Sequence, residues 1–266
     1  MSTEAEKELE IHHDLQGSGP PLVMIGGWPP GRLSWEPQLE AFTERYTCMT
    51  VDWPGRGGSP KVDWSYSTQD MARAVVKIMD SIGWDEAHIV STAIGGGAAQ
   101  WIAITEPERV RSLGLQSTWG RFDVFNQAQA DEQRALLDLD IELWQKNMML
   151  WAHSPSYHVE TNGKYLGTSR GKQLMPGDKE VIYKLLDCSR RHDALDKVHL
   201  IKAPTLITVG GEDYITGFRF SRQFFERIPG AELHVFPGMG HGMRHEDPEK
   251  YTKLTLDWLA NLNGEH

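Results

Sequence analysis

The sequence predicts an α/β fold, a mostly parallel sheet with helices on both faces and a helical cap inserted above it. Three observations carry that expectation. Short apolar runs alternate with amphipathic helical stretches along most of the chain. A glycine-rich segment joins one such run to one such stretch. The alternation breaks once, between residues 120 and 200. Alternation of this kind gives a parallel sheet whose crossovers are helices.

The elements follow in order. Pro21–Gly27 is a short apolar run ending in glycines, read as a buried strand. Thr47–Asp52 is a second strand, closed by Pro54-Gly55. Ser67–Ile82 reads as a helix: Met71, Val75, Ile78, Met79 and Ile82 share one face. Ser67 with Asp70 forms a capping box, and Gly83 ends the helix. Ala87–Thr92 is the next strand, followed by a glycine-rich turn and a helix to about Thr105. Val110–Ser117, Pro204–Gly210 and Ala231–Phe236 are further strands, and a last helix runs from about Pro248 to Leu262. Residues 120–200 lack a buried strand and read as mostly helical. They divide the core into residues 1–119 and 201–266. An insertion between parallel strands rises above the sheet's carboxyl edge, where open α/β folds bind ligands.

Composition narrows the function. The chain has 266 residues and a net charge of −10, with no long Lys/Arg run, which argues against nucleic acid. No apolar stretch approaches the roughly 18 residues that span a bilayer, so no membrane partner is expected. The polar, acidic start is unlike a signal peptide. The two cysteines, Cys48 and Cys188, have no metal-type spacing. Reduced thiols in a cytoplasmic protein are the expectation. A homo-oligomer is compatible with the sequence; no metal and no cofactor are implied.

Chemistry enters through an ordered set. Strand, turn and helix surround Ser91-Thr92-Ala93-Ile94-Gly95-Gly96-Gly97. In such an elbow small residues flank a nucleophile so that the backbone can turn tightly. Ser91 and Gly95 are the small residues, and the nucleophile position holds Ala93. Asp213 stands at the end of a later strand, and His241 follows the last one. His241 is placed to take the nucleophile's proton, and Asp213 to orient the imidazole and stabilise its cation. Two backbone donors are needed for an oxyanion. Spacing assigns them to Ile94 and to Trp28 in the loop Gly26-Gly27-Trp28.

With these residues the chain resembles the α/β-hydrolase superfamily, in its esterase, lactonase and carbon–carbon hydrolase branch. The resemblance runs from about Ile11 to Leu262. Gly26-Gly27-Trp28 matches the family's His-Gly-aromatic loop, with glycine replacing histidine. Asp52-Trp53-Pro54-Gly55-Arg56-Gly57-Gly58-Ser59 approximates its Asp-x-x-Gly-x-Gly-x-Ser segment. The elbow, the acid loop, and Gly240-His241 followed by Glu246-Asp247-Pro248-Glu249 come in the order nucleophile, acid, histidine. Two departures stand out. Ala93 replaces the serine, and Tyr214-Ile215-Thr216-Gly217 follows the acid where relatives often end in proline.

Alanine at the nucleophile position admits three readings. It can be a Ser→Ala replacement introduced to trap a substrate or product. The chain can be a natural binder, as plant hormone receptors of this superfamily are. Or His241 with Asp213 can act as a base without a serine, as the superfamily's cofactor-free dioxygenases and lyases resemble. Ser91 and Thr92 precede the turn and are expected to point elsewhere. Dehalogenase chemistry would need a carboxylate at position 93. Gly95-Gly96-Gly97 lacks the Gly-Lys-Ser/Thr of a phosphate loop.

The expected substrate is a small apolar or aromatic ester, lactone or vinylogous diketone. The chain's ten tryptophans suggest an aromatic pocket. Gly27, Trp119, Trp144, Met148, Trp151 and Tyr214 are the candidate lining. Among the other histidines, His12-His13 read as a solvated turn, His192 and His199 as structural, and His245 as surface. His153 and His158 fall in the cap, with His158 a candidate for the pocket.

Overall fold

The computed structural model describes residues 7–28, 31–164, 166 and 178–263. Seven strands form one sheet: β1 (His13–Gln16), β2 (Pro21–Ile25), β3 (Thr47–Val51), β4 (Ala87–Thr92), β5 (Val110–Gln116), β6 (Thr205–Gly210) and β7 (Glu232–Phe236). The order is β1-β3-β2-β4-β5-β6-β7. β1 runs antiparallel to β3, and every other pairing is parallel.

Strand periodicity builds two core layers. Along β2, Val23 and Ile25 join one buried cluster while Leu22 and Met24 join the other. Successive side chains of a strand point to opposite faces, so a strand covered on both sides is apolar throughout. All six residues of β4 are buried. Each large side chain sealed in this way stabilises the fold by roughly 1.5–3 kcal/mol. Helix α1 (Gly31–Thr43), which includes Pro37, lies in the layer containing Trp35 and Phe42. Helix α2 (Thr68–Ser81) lies in the other and carries the expected capping box.

Helix α3 (Ile94–Thr105) starts at once after β4. That junction is possible because nothing projects from Gly95. A Cβ there would stand 2.3 Å from the carbonyl oxygen of Ile25.

Residues 124–191 carry the inserted helices α4 (Val124–Leu139), α5 (Ile141–Ala152), α6 (Pro155–Glu160) and α7 (Lys179–Arg191). Each opens on an acceptor side chain at its N-cap: Asp123 takes the N–H of Asn126, Asp140 that of Leu143, Ser154 that of Tyr157 and Asp178 that of Val181. One such cap is worth about 1 kcal/mol. Leu137, Trp144, Ile182 and Leu186 form a small core of their own. The insertion's two ends meet: Ala194 N–H donates to the carbonyl of Gly120 at 2.7 Å, and Arg121 pairs with Asp193 at 2.8 Å.

The core closes with α8 (Gly217–Arg227) and α9 (Pro248–Asn263). β1, α1 and α8 add to the elements that the sequence pattern announces. β1 is four residues long and mostly polar, and α1 contains a proline, so neither shows a clean period. Among the described residues no helix is long and apolar enough to cross a membrane.

Candidate active site

Five loops at the carboxyl ends of the strands meet under the inserted helices. Between them lies a cavity of about 370 Å³. Gly27 follows β2, Ala93 follows β4, Trp119 follows β5, Ile215 follows β6 and His241 follows β7, and all five line it. From above, α4 contributes Asn126 and Gln133, α5 Met148 and Trp151, and α7 Leu186.

Ala93 marks the turn. Its backbone sits at φ 50°, ψ −126°, in left-handed space that L residues rarely occupy. The strain is held from both sides. Ala93 N–H donates to Gln116 O at 3.1 Å, and Ala93 O accepts from Thr118 Oγ1 at 2.7 Å and from Gly96 N–H at 3.0 Å. Non-glycine residues in such regions cost about 1–3 kcal/mol and persist where their surroundings dictate them. Ser91 donates to Gly114 O at 2.7 Å, away from the cavity, whereas Thr92 reaches the cavity wall.

Asp213 and His241 come together. His241 Nδ1 lies 3.1 Å from Asp213 Oδ2. Asp213 also accepts from the N–H groups of Ile215 and Thr216, at 3.0 and 2.9 Å, and from Thr216 Oγ1 at 2.6 Å. Its side chain is fully buried. Burial alone would raise its pKa, but His241 and the side-chain and backbone donors of Thr216 outweigh that and hold the carboxyl well below the usual range.

The loop after β2 crosses in front of the elbow. A Cβ on Gly27 would stand 3.0 Å from the Ala93 methyl. The loop is tied down by Trp53 Nε1, which donates to Gly26 O at 3.0 Å, and by Arg56, which donates to Trp28 O at 2.5 Å. Ile94 begins α3, so its N–H is among the first amides, which have no intrahelical acceptor.

With glycine-elbow, acid and histidine loops thus arranged, residues 20–248 match the model of the α/β-hydrolase fold family. The chain belongs to that family. It is similar to a protein of Azorhizobium caulinodans assigned as the carbamate hydrolase RutD, 25% identical over 96% of this chain and 97% of that one. It is also similar to a 2-hydroxy-6-oxo-6-phenylhexa-2,4-dienoate hydrolase of Burkholderia cepacia, 27% identical over 95% of this chain and 92% of its relative. Among solved structures, the enol-lactonase of Burkholderia xenovorans LB400 superposes with a TM-score of 0.85 at 19% identity, covering 95% and 97% of the two chains. That likeness concerns the fold.

Two expected lining residues lie elsewhere. Trp144 is fully buried in the insertion's own core, its ring 5.3 Å from that of Trp28, so it stands behind the wall. Tyr214 is 53% exposed, and its neighbour Ile215 turns inward instead. Trp119, Met148, Trp151 and Gly27 do line the cavity. His245, expected at the surface, also lines it, whereas His158 is buried among α5 and α6 and does not.

Among the lining residues that went unread in the sequence are Phe122, Ile215 and Arg244, and His153, read there only as part of the cap, lines the cavity too. His153 stands 3.6 Å from Glu246, and burial lowers its pKa. Glu246 accepts from Gly240 N–H at 3.1 Å and from Ser154 N–H and Oγ, both at 2.8 Å. It therefore ties the histidine loop to the insertion. His12 contacts Asp52 at 3.2 Å, and His192 is buried between Thr68 and Gln100. No cluster that could hold a metal occurs among the described residues.

Proposed function

We propose that this chain is a serine-hydrolase scaffold with alanine in the nucleophile's place. With serine at position 93 it would cleave an ester, a lactone or an activated carbon–carbon bond of a small apolar or aromatic molecule. The observation that carries this reading is the backbone of Ala93. It keeps a strained turn that a methyl group does not need, in the same cavity as a fully formed Asp213–His241 pair.

Each group then has a role. The serine hydroxyl would attack the carbonyl carbon while His241 takes its proton. Asp213 holds the imidazole's tautomer and stabilises its cation. The N–H groups of Trp28 and Ile94 receive the oxyanion, each worth roughly 2.7–4 kcal/mol. His241 then returns the proton to the leaving group, and water releases the acyl group by the reverse path. Similarity to hydrolases of a dienoate and a carbamate supports the reaction class. A cytoplasmic setting belongs to this reading; the thiols of Cys48 and Cys188, both free and pushed up to about 12 by burial, are unreactive there.

A paired assay of this chain and Ala93→Ser on aryl esters and lactones tests the reading. Turnover with an acyl burst in the serine form, beside a silent alanine form, is the expected result. A nucleophile of this type is worth on the order of a million-fold in kcat. Silence in both forms, or equal activity in both, would overturn the proposal. A second reading rests on the same pair. Because Asp213–His241 is assembled without a serine, it can serve as a base on a substrate proton or on water. Activity in the unaltered chain that His241→Ala abolishes would establish that alternative.

A further inference from the structure

The chemistry above leaves one buried charge unused. Arg244 stands three residues after His241 on the short helical turn Met243–Glu246, lines the cavity and is 4% exposed. Its Nη2 donates to Ser34 Oγ at 2.9 Å, its Nη1 reaches Gln38 Oε1 at 3.5 Å, and its guanidinium carbon lies 4.8 Å from the centre of the Trp35 ring. All three neighbours are neutral. Among the described residues no carboxylate pairs with it, and its Nε–H has no acceptor. By contrast Arg121, Arg190 and Arg219, all more exposed, each meet an aspartate within 2.8 Å, while the other deeply buried arginine, Arg56, donates to the carbonyl of Trp28.

A buried ion without a counter-ion costs several kcal/mol. Burial pulls the Arg244 pKa down to about 10, which still leaves it charged at neutral pH. The folded protein therefore holds a desolvated positive charge, fixed on one side by α1, at the wall of an otherwise mostly apolar cavity. A preset guanidinium loses little freedom on binding and presents a planar fork of donors that matches a carboxylate.

We propose that the cavity takes a small molecule bearing a carboxylate, which Arg244 receives, while Trp119, Phe122, Met148 and Trp151 hold its apolar body. The proposal rests on reading this cavity as the substrate site. A singly charged anion suits the site better than a phosphate. One guanidinium would leave a dianion with an uncompensated charge among apolar walls. The other titratable groups facing the cavity are His153, Tyr157, His241 and His245, and Tyr251 lies beside Arg244.

The test is a binding titration of the unaltered chain, followed by tryptophan fluorescence. The probes are 3-phenylpropionate and its neutral isostere 3-phenylpropionamide. The acid should bind at least about 10-fold more tightly at pH 8, the size expected for a hydrogen bond to a charged group. Arg244→Gln should bring the two affinities together, and Arg244→Lys should keep part of the preference. Equal binding of acid and amide, no binding of the acid at millimolar concentration, or a preference that survives Arg244→Gln would overturn the proposal.

Should Arg244→Gln fail to fold, a pH series on the unaltered chain decides. A preference carried by Arg244 persists from pH 7 to 9. One carried by an imidazolium collapses above the histidine range, and that result also overturns the proposal. The titration needs no turnover. A silent Ala93→Ser form beside Arg244-dependent binding removes the hydrolase reading alone. An active one without acid preference removes the role of Arg244 alone.

Discussion

The floor and the roof of the cavity are built by different means. The floor is backbone: Ala93 at a left-handed turn, Gly27 crossing in front of it with little room for a side chain, and Asp213 held by the N–H groups of Ile215 and Thr216. The roof is side chains packed on capped helices, with a separate core of Leu137, Trp144, Ile182 and Leu186. Backbone constraints demand particular residue types at particular spacings. Packing demands only apolar volume, which many sequences supply. The floor therefore tolerates little change and specifies chemistry, while the roof can vary and shape the ligand.

The largest effect should come from the floor. In the Ala93→Ser background, Asp213→Asn should lower kcat by about 10⁴-fold with the fold intact, since the wrong imidazole tautomer would face the nucleophile. A steady-state assay against parallel thermal melts checks this. A loss below tenfold would mean that Asp213 only supports the loop.

The roof should answer in stability. Trp144→Ala empties the centre of the insertion's core and removes the support of the Trp28 ring, so it should cost about 3–5 kcal/mol. Tyr214→Ala, at a half-exposed position outside the cavity, should change stability by no more than about 0.5 kcal/mol. Denaturant titration of the two variants compares them directly. Equal costs would show that the roof has no core of its own.

The same division explains what could be read in advance. Gly95, Asp213 and His241 sit where a strand end fixes the residue type, so the elbow, acid and histidine were legible from order and spacing. Trp144 and Tyr214 were misplaced because the position of a residue along a packed helix and the direction of a loop decide which side chain reaches a cavity, and neither has a sequence signature. Trp144 shares a helix face with Met148 and Trp151, but it lies one to two turns nearer the helix start, where Leu137, Ile182 and Leu186 close over it and only the later two reach the cavity. Arg244 was silent for a further reason. Its meaning depends on there being no carboxylate paired with it among the described residues, which only the folded chain reveals.

A histidine at the join of floor and roof should report on pH. His192 is buried against Thr68 and Gln100, and burial lowers its pKa from 6.5 to about 4. The folded state favours the neutral ring. That contribution is fully present above pH 6.5 and is lost as pH falls through about 4. Stability should therefore drop by about 3 kcal/mol across this window from His192 alone. His192→Asn should flatten that part of the pH–stability curve. An unchanged slope would assign the loss to other groups.

A small effect bears most directly on why alanine stands at position 93. A residue at φ 50° and ψ −126° strains its backbone whether or not its side chain reacts. Glycine relieves that strain but adds freedom to the unfolded chain, an opposing term of about 0.5–1 kcal/mol. Ala93→Gly should therefore stabilise the fold by about 1 kcal/mol, read as a higher denaturation midpoint at constant slope. A gain of that size means that the turn is imposed on residue 93 by its surroundings, by Gln116, Thr118 and the glycines behind it. The floor then remains shaped for a nucleophile that this chain lacks. A loss would mean that the turn suits alanine, and that the floor is shaped for binding.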